Sequence, residues 1–321
     1  MSPDKQTMFL ARAAAMTAFV ALHSVALHTG AAAQVQTPAH FVAPQIVTGI
    51  TETAASAAAP TAVPAVAIER SNPLKPVEMP SPAPVAATPP AKCKAPAAMT
   101  HLDRPLPHTM RRLANGAPIT IVAIGSSSTA GAGASSAAAS YPSQLAADLR
   151  ERFPGHDITV LNRGVNGEET DNMMARFASD VVAEHPQLVI WQVGTNSVLR
   201  DRSLEQHAVL LHDGIAQLKA INADVVLMDL QYAPAVIAKS ETDDMVDQIV
   251  LTAKAENVDL FDRFAVMRDW SEVQHLSFDT FTAPDHLHMN DWGYGCVAKL
   301  LTAAIAEAAT RPITSAAAPA R

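Results

Sequence analysis

Short apolar runs that break off into Gly, Ser or Asn, separated by stretches with helical spacing, constrain this chain more than any other feature of its sequence. The first run is Ile119-Thr120-Ile121-Val122-Ala123-Ile124, which passes abruptly into Gly125-Ser126-Ser127-Ser128-Thr129-Ala130-Gly131. Continuous apolar and β-branched residues read as a strand buried on both faces, the pattern of a parallel sheet. Ligands of open parallel sheets bind beyond the carboxyl ends of the strands. The hydroxyls after Ile124 therefore stand where chemistry is expected.

The pattern recurs downstream. Ile158–Asn162 runs into Arg163-Gly164-Val165-Asn166-Gly167, and Leu188–Val193 runs into Gly194-Thr195-Asn196. Val225–Met228 leads to Asp229-Leu230-Gln231-Tyr232, and Val258–Phe261 makes a short fifth strand. Helices are expected between them: one opened by Ser140, Tyr141 and Pro142, one from Thr170 to about Glu184, one behind a Ser203/Gln206 capping pattern, and one from Thr242 to Glu256. A last helix runs from Asp291 to Ala309. Alternating strands and helices predict a three-layer α/β/α domain around a parallel sheet of about five strands.

Composition sets the limits of that domain. Fourteen of the 23 prolines fall between Pro38 and Pro107, and Phe41 is the only aromatic from Gln34 to His108. A segment with so little bulky apolar surface cannot offset the entropy of ordering, so residues 34–108 read as a disordered Pro/Ala tether. Before it, Lys5 and Arg12 precede an apolar run from Ala13 through Leu27 and an Ala31-Ala32-Ala33 ending, the form of an export signal over 1–33. A membrane anchor is the other reading of that run, but His23 and His28 interrupt it and it is shorter than the ~20 residues needed to span. After cleavage no stable membrane span is expected. The catalytic domain is expected over 109–309 and a frayed tail over 310–321. Cys93 and Cys296 are the only two cysteines. In an oxidising compartment they can pair and fasten the end of the tether. A net charge of -8 without a basic cluster gives no footprint for nucleic acid.

The strand ends and one loop collect a small polar set: Ser127, Gly167, Asn196, and Asp285 with His288. A serine hydroxyl is a weak nucleophile and needs a base within hydrogen-bond reach, oriented in turn by a carboxylate. Ser127, His288 and Asp285 fill those roles in this reading. The backbone N–H groups of Ser127 and Gly167 and the side-chain amide of Asn196 would receive the oxyanion. Taken singly, each residue has a plainer use: a capping turn for Ser127, a surface histidine for His288, a turn glycine, a helix cap. His286 and His288, at i and i+2 with the Asp285 carboxylate nearby, lack a recognisable further ligand for a metal, and the Gly131-Ala132-Gly133 stretch lacks the Lys-Ser/Thr ending of a phosphate loop. No metal and no cofactor are expected. Arg163, His286, Gln231 and Tyr232 are candidates to face substrate, with scaffold roles equally open for Arg163 and Gln192.

In order and approximate spacing, Gly125–Gly131, Asn162–Gly167, Gly194–Asn196 and Asp285–His288 resemble the four blocks of the SGNH (GDSL-type) hydrolases. The resemblance covers about Ile119 to Ile305 and implies a flavodoxin-like fold, cofactor-free ester hydrolysis, and the roles already named for Ser127, Gly167, Asn196, His288 and Asp285. Two departures stand out: Ser126 replaces the family's aspartate, and His286 replaces the common glycine after Asp285. The resemblance points to an exported serine esterase acting on acetyl or short acyl esters of carbohydrates or small lipids. An O-acyltransferase using a sugar hydroxyl as acceptor, and a catalytically silent glycan-binding adaptor, are the alternatives. The sequence assigns no oligomeric state.

Overall fold

The computed structural model describes residues 91–312. The expected export signal, the tether as far as residue 90 and the tail from 313 lie outside the described residues.

Five parallel strands form one sheet: β1 (Ile119–Gly125), β2 (Ile158–Gly164), β3 (Leu188–Gln192), β4 (Asp224–Met228) and β5 (Asp259–Phe261), in the order β2-β1-β3-β4-β5. Period-two side-chain alternation sends each strand's residues to opposite faces. Ile119, Ile121 and Ala123 of β1 join Leu188 and Ile190 of β3 in one core, under the helices Tyr141–Arg152 and Asp291–Thr310. Val122 and Ile124 join Val189 and Trp191 in the other, against the helices Leu204–Ala220 and Thr242–Glu256. This is the three-layer α/β/α arrangement expected from the sequence. The strand order reverses between β1 and β3, the switch point at which open sheets bind ligands. Among the described residues no helix is long and apolar enough to cross a membrane.

Three details differ from the sequence reading. First, packed chain begins well before residue 109. Leu102 and Leu106 are fully buried in the first core, and Trp270 and Trp292 donate their indole N–H groups to the carbonyls of Lys94 and Ala91. Proline content concealed this, because single leucines and backbone carbonyls carry the contact. Second, the helix expected over 170–184 is three short pieces, Thr170–Ala175, Phe177–Asp180 and Val182–Glu184, broken at Arg176 and again at Val181. Third, residues 263–281 contain helices Arg263–Arg268 and Phe278–Phe281 and a π-helical turn Asp269–Val273, none of them expected from the sequence.

Cys93 and Cys296 are joined in a disulfide across 203 residues of sequence, tying the chain ahead of the first strand to the final helix. Closing so long a loop restricts the unfolded chain, so replacing both cysteines by serine is expected to lower unfolding free energy by about 2–5 kcal/mol in denaturant titration. At the amino end of β5, burial pushes the Asp259 carboxyl up to about 6 despite the hydrogen bond from the Arg104 N–H. The native state then binds a proton more tightly than the unfolded chain, and this group's contribution to stability falls as pH rises through about 6. Asp259→Asn is therefore expected to raise the melting temperature at pH 8 and to change it less at pH 5, read by calorimetry.

Candidate active site

The turn after β1 is shaped by a single acceptor. Gln192, the last residue of β3, turns its side-chain oxygen toward β1 and receives the Ser126 N–H at 2.9 Å, the Ser126 hydroxyl at 3.0 Å and the Thr129 hydroxyl at 3.3 Å. The backbone N–H requires the amide oxygen at that place, so the side chain at 126 must donate as well. An aspartate would set carboxylate oxygen against amide oxygen. This accounts physically for the serine where the SGNH pattern has an acid. Gln192 is thus a buried scaffold group.

Ser126 precedes a four-residue helix, Ser127–Ala130, closed by Gly131 in the left-handed region at φ 99°. That helix sits directly on the end of β2. A methyl group at Gly164 would lie 2.0 Å from the Ala130 nitrogen and 2.5 Å from the Thr129 carbonyl carbon. Only glycine lets the strand and the serine-bearing helix meet.

His288 faces Ser127 from the loop ahead of the final helix, 161 residues along the chain. Its Nε2 lies 2.8 Å from Ser127 Oγ and its Nδ1 lies 2.6 Å from Asp285 Oδ2. The other carboxylate oxygen of Asp285 accepts the N–H groups of Leu287 at 3.0 Å and His288 at 2.9 Å, which folds the loop around the carboxylate. Partial burial raises the Asp285 carboxyl, but the hydrogen bonds from the His288 imidazole and the two backbone N–H groups outweigh it and hold the acid below its usual range. An ionised Asp285 accepts a hydrogen bond from Nδ1–H, which keeps the proton on that nitrogen and leaves Nε2 as the acceptor for the serine hydroxyl. His286 is exposed and adopts φ 57°. That left-handed conformation explains why glycine is common at this place in the family. The loop is further fixed by the Ala283 N–H on the His288 carbonyl at 2.8 Å and the Ala235 N–H on the His286 carbonyl at 3.0 Å.

Gly167 and Asn196 are tied to each other through the segment that follows β2. The Asn196 amide donates to the Glu168 carbonyl at 2.7 Å, and the Arg200 guanidinium donates to the Gly167 carbonyl at 2.8 Å, with Gly167 at φ 77°. The N–H groups of Ser127 and Gly167 make no hydrogen bond among the described residues. One hydrogen of the Asn196 amide also remains after the bond to Glu168. Three donors are therefore open.

Of the residues offered as substrate-facing, His286 is exposed, whereas Arg163 is ion-paired with Glu184 at 2.6 Å. Gln231 is fully buried, accepting the Thr195 hydroxyl at 2.9 Å, so it is a scaffold group and not a pocket wall. Tyr232 donates its hydroxyl to Glu272 at 2.7 Å and stacks on Phe278. Among the described residues no group of His, Cys, Asp and Glu is arranged to hold a metal ion.

Two arginines matter here that sequence reasoning did not single out. Arg176, at the break in the expected helix, donates to the Gly125 carbonyl at 3.3 Å, the Arg163 carbonyl at 2.7 Å and the Glu168 carboxylate at 2.8 Å. It binds the ends of β1 and β2 to the loop that carries Gly167. Arg263 is fully buried beneath the serine turn. Neither stands in a polar stretch of the sequence, and periodicity carries no signal for a cation whose partners come from other segments.

Comparison with known proteins agrees with this architecture. Residues 92–311 match the Non-GDSL lipase-like family. The chain belongs to that family. Among its relatives are an arylesterase of Vibrio mimicus, 33% identical over 95 residues (30% of this chain, 46% of that protein), and an acetylxylan esterase of Geobacillus stearothermophilus, 26% identical over 175 residues (50% of this chain, 77% of that protein). A two-domain esterase active on acetylated mannans shares the fold, with TM-score 0.58 at 20% identity over 68% of this chain and 58% of that one. The match thus spans about half of the arylesterase and somewhat more of the two-domain enzyme. As in the family's name, the Gly-Asp-Ser-Leu block is replaced, here by Gly125-Ser126-Ser127-Ser128.

The contact at Gly164 gives a direct prediction. Gly164→Ala is expected to push the Ser127 helix off β2, lowering kcat by roughly 100-fold for any reaction at Ser127, since an ångström of misplacement has about that effect. Steady-state kinetics on folded variant protein reads it.

Proposed function

We propose that this Non-GDSL lipase-like protein is an exported serine esterase that removes acetyl groups from carbohydrate esters through an acyl-enzyme. The observation that carries the reading is the continuous hydrogen-bonded series from Ser127 Oγ through His288 to Asp285, at 2.8 and 2.6 Å.

In this reading Ser127 Oγ attacks the ester carbonyl while His288 Nε2 takes its proton. Asp285 holds the imidazole in the needed tautomer and stabilises the imidazolium that forms. The tetrahedral oxyanion is received by the N–H groups of Ser127 and Gly167 and the Asn196 amide, each such donor contributing about 100-fold or more in rate. Collapse breaks the bond to the alcohol oxygen, which leaves with the proton from His288. Water then gives a proton to His288 and attacks the acyl-enzyme, and release of acetate returns that proton to Ser127. The names of the relatives support an acetyl group on a carbohydrate: an acetylxylan esterase and an enzyme active on acetylated mannans. The disulfide and the amino-terminal charge and hydropathy pattern support export.

Ser127→Ala is expected to leave folded protein with at least about 1,000-fold less hydrolysis of p-nitrophenyl acetate and of acetylated xylan, followed by release of nitrophenol and acetate. Activity retained in that variant overturns the assignment.

A further inference from the structure

We propose that Arg263 is a positioning residue that sets the geometry of Ser127, Asn196 and His288 together; this rests on the esterase reading above. Arg263 opens the helix that follows β5, and its side chain is fully buried between three site-bearing segments. One terminal nitrogen donates to the Ser128 hydroxyl at 3.1 Å. The other donates to the Asp229 carbonyl at 2.5 Å and to the Gln231 side-chain oxygen at 3.0 Å. That same Gln231 oxygen accepts the Thr195 hydroxyl at 2.9 Å, and the Gln231 amide nitrogen donates to the Leu287 carbonyl at 3.4 Å. Ser128, Thr195 and Leu287 are the immediate chain neighbours of Ser127, Asn196 and His288. Each arm of the network therefore ends one residue from a group assigned a part in the reaction.

Stability alone does not explain a guanidinium in this place. Burying a cation costs several kcal/mol, and an apolar side chain of similar volume commonly does as well or better. No carboxylate accepts a hydrogen bond from Arg263; the Asp229 carboxylate instead receives the Phe264 N–H at 3.0 Å. What a guanidinium supplies is a rigid planar fork that fixes several acceptors at set angles, which a lysine ammonium on a flexible stem does not. Gln231 extends the fork from the serine turn to the histidine loop. The reach of the two side chains together spans segments separated by more than a hundred residues of sequence.

The test compares Arg263→Met and Arg263→Lys with wild type. Competent sites are counted by stoichiometric labelling with a fluorophosphonate, and kcat and KM for p-nitrophenyl acetate are expressed per labelled site. The downfield proton resonance of the His288–Asp285 hydrogen bond is recorded alongside. Arg263→Met is expected to lose roughly 10–100-fold in kcat per labelled site with KM little changed, and to shift or broaden that resonance. Arg263→Lys is expected to recover part of the loss. Folded Arg263→Met with wild-type kcat per site and an unchanged resonance overturns the proposal. If that variant does not fold, Ser128→Ala and Gln231→Met each remove one arm; lowered kcat per site in both supports the role, and wild-type values in both overturn it. A wild type that neither hydrolyses the ester nor takes the label rejects the esterase reading instead, and the resonance still decides whether Arg263 holds the histidine loop.

Discussion

A hydrogen bond of 2.8 Å between residues 161 apart in sequence, Ser127 and His288, is the contact on which the account of this protein depends. One side-chain hydrogen bond contributes only about 1 kcal/mol net, far too little to draw two distant segments together. It exists because both partners are held independently. Ser127 is fixed by β1, by the three hydrogen bonds that the Gln192 side-chain oxygen accepts from Ser126 and Thr129, and by the contact with Gly164. His288 is fixed by the Asp285 carboxylate and by the start of the final helix, where Asn290 caps Gly293 at 3.0 Å and donates to the carbonyls of Asp279, Thr280 and Thr282 at 3.1 Å each. Catalytic groups act well when their geometry is formed in advance and not assembled around the substrate.

The parallel sheet makes that preorganisation economical. Because every strand points the same way, the segments after β1, β2, β3 and β4 all emerge on one edge, and the switch between β1 and β3 opens a place among them. Ser127, Gly167 and Asn196 arrive there from three strand ends. The fourth supplies Asp229 and Gln231, which act from underneath. Substitution of serine for aspartate at 126 fits the same logic: the turn needs donors toward Gln192, and the hydroxyl gives one where a carboxylate would repel.

Much of this was legible in the sequence. Strands β1 to β4 announced themselves as apolar runs ending in small polar residues, and the four blocks in order singled out one serine among three. Local patterns are readable because period and turn chemistry act over a few residues. What was not legible acts over distance. Arg176 and Arg263 serve carbonyls and hydroxyls contributed by other strands, and nothing in their own neighbourhood marks them. The start of the domain was hidden because Leu102 and Leu106 reach the core from within a proline-rich stretch. Gln231 looked like a pocket residue because it ends a strand on the active edge, yet burial and three partners make it a strut.

If the hydrogen-bonded series makes Ser127 a nucleophile, covalent trapping detects it. Wild-type protein and a His288→Ala variant are treated with a fluorophosphonate, digested and mapped by mass spectrometry. A single adduct on Ser127 is expected in wild type, formed far more slowly in the variant. An adduct on another residue, or labelling of Ser127 at the same rate without His288, contradicts it.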